Sequence, residues 1–491
     1  MNRVIRSLTL PAAVTLLALS IGGCVTSPDR KNPRLPSLEA ATRARAYAVK
    51  TQPGLTDRAF PSEWWTLFGD STLTELERAA SSANLDLLAA VARIDESRAQ
   101  LGLADAARRP RLSADIGYAR SAISEHSPNA LLGAPTEPSS TWTLGLQAGW
   151  ELDLWGHLRH QSEAASARLW ATAYGMEGVR VSVAGDVART YLLLRGTQAQ
   201  IRIVDDNRQI ALNLARLTES RRRNGVATRY DAAAARADVA GIEARLAQLG
   251  QQRDALMNAL ALLLGKPPRE LNTTLGNAAM PPMPARLPVG VPSELARHRP
   301  DILQADARLR AAVADIGAAE ADFYPRISLT GNIGVQAFEF SDLGSWRSRD
   351  FSVGPTLYLP IFQGGRLRSN LELSEARHRL AGIAYQQTVL RAWHEVDDAL
   401  NAYAAELKRR QQLQLAVDQN RTALEVANRG YQQGTADFTS VLVARRTLLA
   451  SQSELTDCIT AAALSVVSLY RALGGGWSPA LRAAATAGTA S

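Results

Sequence analysis

Few side chains in this sequence are spaced for chemistry. His157, His160 and Glu163 fall at i, i+3 and i+6, on one face of a helical stretch, and two imidazoles with a carboxylate are a donor set that suits a transition metal. The same three also read as solvated or interfacial polar residues at the start of a long helix, and nothing else in a chain with 6 histidines converges on them. No phosphate-cradling glycine loop, nucleophile elbow or zinc-binding helix motif occurs. Neither a catalytic centre nor a metal or soluble cofactor is therefore expected.

The remaining chemistry is covalent and lies near the start. Arg3 and Arg6 precede an apolar stretch, Leu8 to Leu19, which is too short for a membrane span and the right length for a signal peptide over 1–23. It ends in Ile21-Gly22-Gly23-Cys24, small residues before a cysteine, the pattern of a bacterial lipobox. Cys24 is then the expected lipidation site, carrying diacylglycerol and palmitate, and more than one acyl chain anchors a protein stably. The other cysteine, Cys458, is left without a disulfide partner. A net charge of +8 does not point to nucleic acid, because arginines alternate with acidic residues and no basic cluster carries interleaved aromatics.

The elements around these residues repeat. Under a shift of 215, Arg109-Pro110-Arg111-Leu112-Ser113 falls on Tyr324-Pro325-Arg326-Ile327-Ser328, and Asp86 falls on Asp301. From Leu158 the shift is 209 and runs without gaps: Glu163 matches Glu372, Gly225 matches Gly434, and Leu264-Gly265 match Leu473-Gly474. The six-residue change of shift belongs between Pro110 and Leu158. Each half, 61–265 and 293–474, reads as a helix, a strand pair and two long helices (72–107, 157–222 and 229–264; 293–322, 366–431 and 438–473). The proline-containing segment 266–292 joins them, 24–60 is a polar leader, and 475–491 reads as a disordered tail.

The strands alternate over about ten residues, as a lipid-facing, lumen-polar barrel strand does. Ile327, Leu329, Ile333 and Val335 alternate with Ser328, Thr330 and Asn332; Phe351, Val353, Leu357, Leu359 and Ile361 alternate with Ser352, Thr356 and Tyr358. Trp142 to Asp153 repeats the pattern, with Trp142 and Trp150 suited to the aromatic girdles of a bilayer. A soluble sheet with one buried face would show the same alternation. Beyond the signal no apolar run reaches the roughly 20 residues of a membrane helix. Four strands per chain are too few for a membrane barrel, whose smallest forms use about 8, so spanning strands oblige several chains to share one barrel. The long helices, at about 1.5 Å per residue, reach roughly 100 Å and need neighbours along their length. Ile242, Leu246, Leu249, Leu256, Leu260 and Leu263 form one seam; Leu455, Cys458, Ala462, Val466, Leu469 and Leu473 form its mate, which makes Cys458 a packing residue.

Three separated motifs carry a resemblance: Phe60-Pro61-Ser62-Glu63-Trp64-Trp65-Thr66-Leu67-Phe68-Gly69-Asp70, Leu359-Pro360-Ile361-Phe362-Gln363-Gly364-Gly365-Arg366-Leu367-Arg368, and Tyr470-Arg471-Ala472-Leu473-Gly474-Gly475-Gly476-Trp477. With the repeat, they resemble the TolC/OprM (NodT-type) outer-membrane factor family from the lipobox to Trp477. The resemblance implies a homotrimer with a 12-stranded β-barrel in outer-membrane lipid, continuing into a periplasmic α-helical coiled-coil barrel. It implies a passive exit duct of a tripartite efflux system, coupled through a periplasmic adaptor to an inner-membrane RND-type pump; the alternative is the outer-membrane duct of a type I protein secretion system. An adaptor itself shares the acyl anchor and helical hairpins but would not carry two lipid-patterned strand pairs.

By the same resemblance, function lies at the helix-turn-helix tips. Gly225, Val226 and Ala227, with Gly434, Thr435 and Ala436, are the implied adaptor-contact residues, and both glycines also read as plain helix C-caps. In TolC a tyrosine, an arginine and an aspartate tie the closed entrance. Tyr431 and Asp231 match the tyrosine and the aspartate, but Ala436 stands at the arginine. Ser440 and Val443 stand where a lumenal aspartate ring would be, leaving Asp437 as a substitute, so Asp231, Tyr431 and Asp437 are the candidate gating residues.

Overall fold

The structure is a computed structural model, and it describes residues 55–477 apart from 57, 59, 285 and 291–297. The signal peptide, Cys24, most of the leader, the first residues of the second repeat and the tail beyond 477 lie outside the described residues. Two units are distinguished.

The first unit comprises 97–169 and 307–383 among the described residues and is built on the alternating segments. Numbering strands along the chain, β1 is Leu55–Thr56, β2 Arg111–Ser121, β3 Ser139–Leu152, β4 Leu287–Pro288, β5 Arg326–Ala337 and β6 Arg349–Tyr358. The large sheet has the order β2-β3-β5-β6, antiparallel throughout. Side chains directly opposite share a face, and the register sorts them cleanly. On one face Ile116 lies opposite Leu144, Leu144 opposite Val335, Leu146 opposite Ile333, and Ile333 opposite Phe351. On the other, Ser113 lies opposite Gln147, Gln147 opposite Asn332, and Asn332 opposite Ser352. One face is therefore apolar across all four strands and the other polar, as a wall between lipid and water requires.

Aromatic residues mark both ends of this wall. Tyr118 packs on Trp142 (4.4 Å) and Trp142 on Phe340 (5.1 Å) at the loop end. At the helix end Trp150 donates to the Arg108 carbonyl (3.0 Å), and Trp155 stacks on Tyr324 (4.8 Å). The β2–β3 connection runs 122–138 and its counterpart 338–348, seventeen residues against eleven, which places the six-residue difference in this loop. The expected strand 351–361 ends earlier, at Tyr358: Pro360 has no N–H to give a ladder.

The second unit comprises 55–96, 170–306 and 384–477 within the described residues. Helices along the chain are α1 (Ser71–Ala83), α2 (Leu85–Ala106), α3 (His157–Arg223), α4 (Arg229–Leu263), α5 (Pro300–Ala321), α6 (Arg366–Gln432) and α7 (Phe438–Leu473), with one further helical turn at Pro128–Leu131. The single helix expected over 72–107 is two, because Asn84 breaks it. Its backbone is extended, and its side chain accepts from the Asp86 and Leu87 amides (3.0 and 3.1 Å) while donating to the Leu263 carbonyl (2.9 Å), capping the second helix.

Both α3 and α6 run for 67 residues. Their apolar residues, with those of α4 and α7, bury a core that includes Tyr191, Leu192, Leu260, Val466, Leu469 and Leu473. Helix α7 is long and apolar enough to cross a membrane by length and composition, but 56% of that window is buried inside the protein. The Trp64–Phe68 motif belongs to the same core: Trp64 stacks on Tyr470 at 5.4 Å, and Asp70 caps α1 while accepting from the Tyr191 hydroxyl (2.7 Å). Arg299, almost fully buried, donates to the Ala472 carbonyl and to Asp301 and Glu395, each at 2.7 Å, and so ties the end of α7 to α6. β1 and β4 pair in parallel beside this core.

Candidate functional site: the paired hairpin tips

Both tips are built the same way. Helix α3 ends on Gly225 at φ 79°, with the Val226 amide bonded to the Arg221 carbonyl (2.8 Å) and the Gly225 amide to that of Arg222 (3.0 Å). Helix α6 ends on Gly434 at φ 74°, with Thr435 bonded to Gly430 (2.9 Å) and Gly434 to Tyr431 (3.2 Å). These are two Schellman caps, and glycine suits the left-handed residue in each because an L side chain is strained at positive φ. Val226 is exposed and stands at the apex beside Ala227, as Thr435 does beside Ala436. The implied contact residues are thus displayed on two turns of the same construction.

The helices leaving the tips are capped by the two candidate aspartates. Asp231 closes a capping box: its carboxylate accepts from the Thr228 amide (2.9 Å) and hydroxyl (2.7 Å), and its amide donates to the Thr228 hydroxyl (3.1 Å). Asp437 caps α7, accepting from the Ser440 hydroxyl (2.7 Å) and amide (2.9 Å), and those bonds hold its carboxyl below the usual carboxylate range. Within the chain Asp231 is bonded to Thr228, not to Tyr431. Tyr431 instead lies under the Arg221 guanidinium, 4.7 Å from the ring centroid, and against Phe438 at 5.7 Å. This contact joins the two hairpins at their tips. Sequence reading missed Arg221, since it looked for an arginine near 436 and none stands there. The signal was the Arg221-Arg222-Arg223 run ending α3.

Above the tips, further ties join the hairpins. Arg446 pairs with Asp238 (3.0 Å), and the buried Arg445 donates to the Asn207 carbonyl. Glu219 and Arg222 form an exposed pair at 2.7 Å.

The histidine trio separates in space. His157 faces the Asp322 carboxylate and the Ala318 carbonyl, both at 3.1 Å, whereas His160 bonds Glu163 at 2.8 Å. Among the described residues no group of three or more His, Cys, Asp or Glu is arranged to hold a metal. Cys458 is buried in its seam, where burial and the neighbouring Glu406 carboxylate push its thiol up to about 11.

A sheet with one lipid-compatible face and two open edges, joined in sequence to long paired helices that end in duplicated turns, defines a shared-barrel channel. A model of the outer membrane efflux protein family matches residues 76–266 and 291–475, one stretch for each repeat. The chain is 33% identical over 464 residues to the outer membrane protein OprJ of Pseudomonas aeruginosa, covering 94% of this chain and 95% of that protein. It is 30% identical over 471 residues to the cation efflux system protein CusC of Escherichia coli, covering 94% and 97%. The solved outer-membrane channel OprN superposes with a TM-score of 0.85 at 32% identity, over 93% of this chain and all of that one. The protein belongs to the outer membrane efflux protein family. It has the TolC-like fold and resides in the cell outer membrane with its helical part in the periplasm.

Proposed function

We propose that this protein is the homotrimeric exit duct of a tripartite efflux system, passing small molecules from the periplasm through a pore with no catalytic step. The observation that carries the trimer is the sheet. Its apolar face spans four strands, and both outer strands leave a row of backbone groups unpaired, which in hydrocarbon costs several kcal/mol per group. Three copies close twelve strands and leave no edge. Acylation of Cys24, with diacylglycerol and palmitate, anchors the chain beside the barrel.

The tips are the periplasmic entrance. Gly225, Val226, Ala227, Gly434, Thr435 and Ala436 present two equivalent turns to a periplasmic adaptor, which links the duct to an inner-membrane pump. Arg221 over Tyr431 holds the hairpins together in the closed state, and Asp437, kept ionised by its cap, supplies negative charge at the mouth. The first test is the mass of the detergent-solubilised mature protein by light scattering, corrected for bound detergent. A trimer is expected. A monomer that stays folded without detergent would mean a soluble sheet and would end the channel reading.

A further inference from the structure

The apolar face of the sheet carries its charge at one end and of one sign. Every second residue along the four strands lies on that face: Leu112 to Arg120, Ser140 to Leu152, Ile327 to Ala337 and Arg349 to Leu357. Among these, Arg120 and Arg349 are the charged ones. The strand carboxylates Asp115, Glu151 and Asp350 fall on the polar face by the same register. Both arginines stand at the loop end, and since the helical part of the protein lies in the periplasm, that end faces outward. A cation on a lipid-facing wall is costly at the midplane and tolerated near the interface, so the two mark the outer headgroup layer.

Arg349 also borders a cavity of about 560 Å³ on this face. Its floor is two adjacent cross-strand rows, Leu146 with Ile333 and Leu144 with Val335, and Arg349 lies opposite Val335 at the end of the second. Leu343 and Trp346 of the 338–348 loop complete the wall. The volume is within the roughly 300–1,000 Å³ of small-molecule sites. The Arg349 guanidinium sits over the Trp346 ring, 4.4 Å from its centroid, and its Nη1 donates to the Trp346 carbonyl at 2.6 Å. A guanidinium has five donors, so Nε and Nη2 remain for the oxygens of an anion. The loop itself carries Glu339 and Asp342 against Arg347, so the attraction for an anion comes from the strand arginines.

An apolar cavity with a fixed cation at its rim fits a lipid better than a soluble anion, which would leave the floor in water. We propose that this is a specific lipid site: the phosphate of an anionic lipid of the outer leaflet meets Arg349, and an acyl chain of the same molecule lies in the cavity. Arg120 supplies a second cation at the same end of the wall. The site is one per chain, and it rests on the sheet being the membrane wall of the channel proposed above.

The test is native mass spectrometry of delipidated full-length protein in detergent, titrated with bis-phosphorylated lipid A as the probe. Binding should saturate at one lipid per chain. Arg349→Gln should weaken it about tenfold, as loss of a charge-assisted hydrogen bond does, and Arg349→Lys should recover part of the loss. Leu146→Trp fills the cavity, leaves the cation in place and should weaken binding as well; if it does not assemble, Arg349→Gln decides alone. Arg368→Gln removes the same charge from an exposed helical position and should change nothing. Binding that never saturates, or that is equal in the parent and Arg349→Gln, is annular lipid only and overturns the site. Displacement of the lipid by inorganic phosphate overturns it too, because the cation would then act without the cavity. A folded, detergent-free monomer by light scattering overturns the channel reading and this site together, whereas a trimer with unsaturable binding overturns this site alone.

Discussion

If the tips are held by Arg221 and Tyr431, the ring carries the contact and the hydroxyl does not. The guanidinium lies 4.7 Å from the ring centroid, and within the chain the carboxylate of Asp231 is bonded to Thr228. A cation–π contact at a partly exposed site contributes about 0.5–1 kcal/mol, so three per trimer give roughly 1.5–3 kcal/mol of bias toward the closed state. At about 1.4 kcal/mol per tenfold, removing all three should raise spontaneous opening roughly 10- to 100-fold. Purified trimers of Arg221→Gln and Tyr431→Leu should show this in planar bilayers, as time spent in the conducting state without adaptor. Tyr431→Phe keeps the ring and should behave as the parent does. Asp231→Asn should also leave opening near the parent level, since an amide oxygen still accepts in the cap. The reasoning fails if Tyr431→Phe and Asp231→Asn both open the channel as far as Tyr431→Leu, because a hydroxyl–carboxylate latch would then govern the entrance.

Other expectations follow from single buried groups. Arg299→Met removes a guanidinium that bonds Asp301, Glu395 and the Ala472 carbonyl, and because both carboxylates are partly solvated the loss should be about 2 kcal/mol, read as a lowered denaturation midpoint. Glu77 is buried beside Trp65, and desolvation raises its carboxyl well above the usual range. The folded state therefore holds that proton to higher pH than the unfolded state, so the stability it contributes is present at low pH and is lost as pH rises through the folded value. Glu77→Gln should remove this decline and raise the melting temperature at neutral pH; an unchanged or lower one would contradict it. Cys458, with its thiol pushed up to about 11 by burial and Glu406, should resist maleimide in the folded trimer at neutral pH and react once unfolded.

Much of the fold was legible because it rests on periodicity. The twofold register, the alternation in β3, β5 and β6, and the seams through Leu249 and Cys458 are long patterns that tertiary context rarely overrides. What escaped was local or relational. The break at Asn84 depends on one side chain capping a helix that propensity alone would continue. The early end of β6 follows from Pro360, which gives no N–H to a ladder although the alternation runs on to Ile361. At the site, the caps at Gly225, Gly434, Asp231 and Asp437 follow from residue type and position. The Arg221–Tyr431 contact does not, because it joins residues 210 positions apart in sequence whose approach is set by how two hairpins pack.

That contact also shows where the repeat stops being a repeat. Under the shift of 209, Arg221 corresponds to Gly430 and Tyr431 to Arg222. The seam between subunits, formed by the same operation, would place a glycine against an arginine where the chain's own junction places an arginine over a tyrosine. In the trimer proposed above, that pair would offer no ring to a guanidinium, so the Arg221–Tyr431 contact would occur three times and not six. A duplicated barrel wall gains from symmetry, because every strand needs an equivalent neighbour. An entrance that opens, as proposed above, would gain from breaking it, since seams without that contact would be the lines along which the hairpin pairs part.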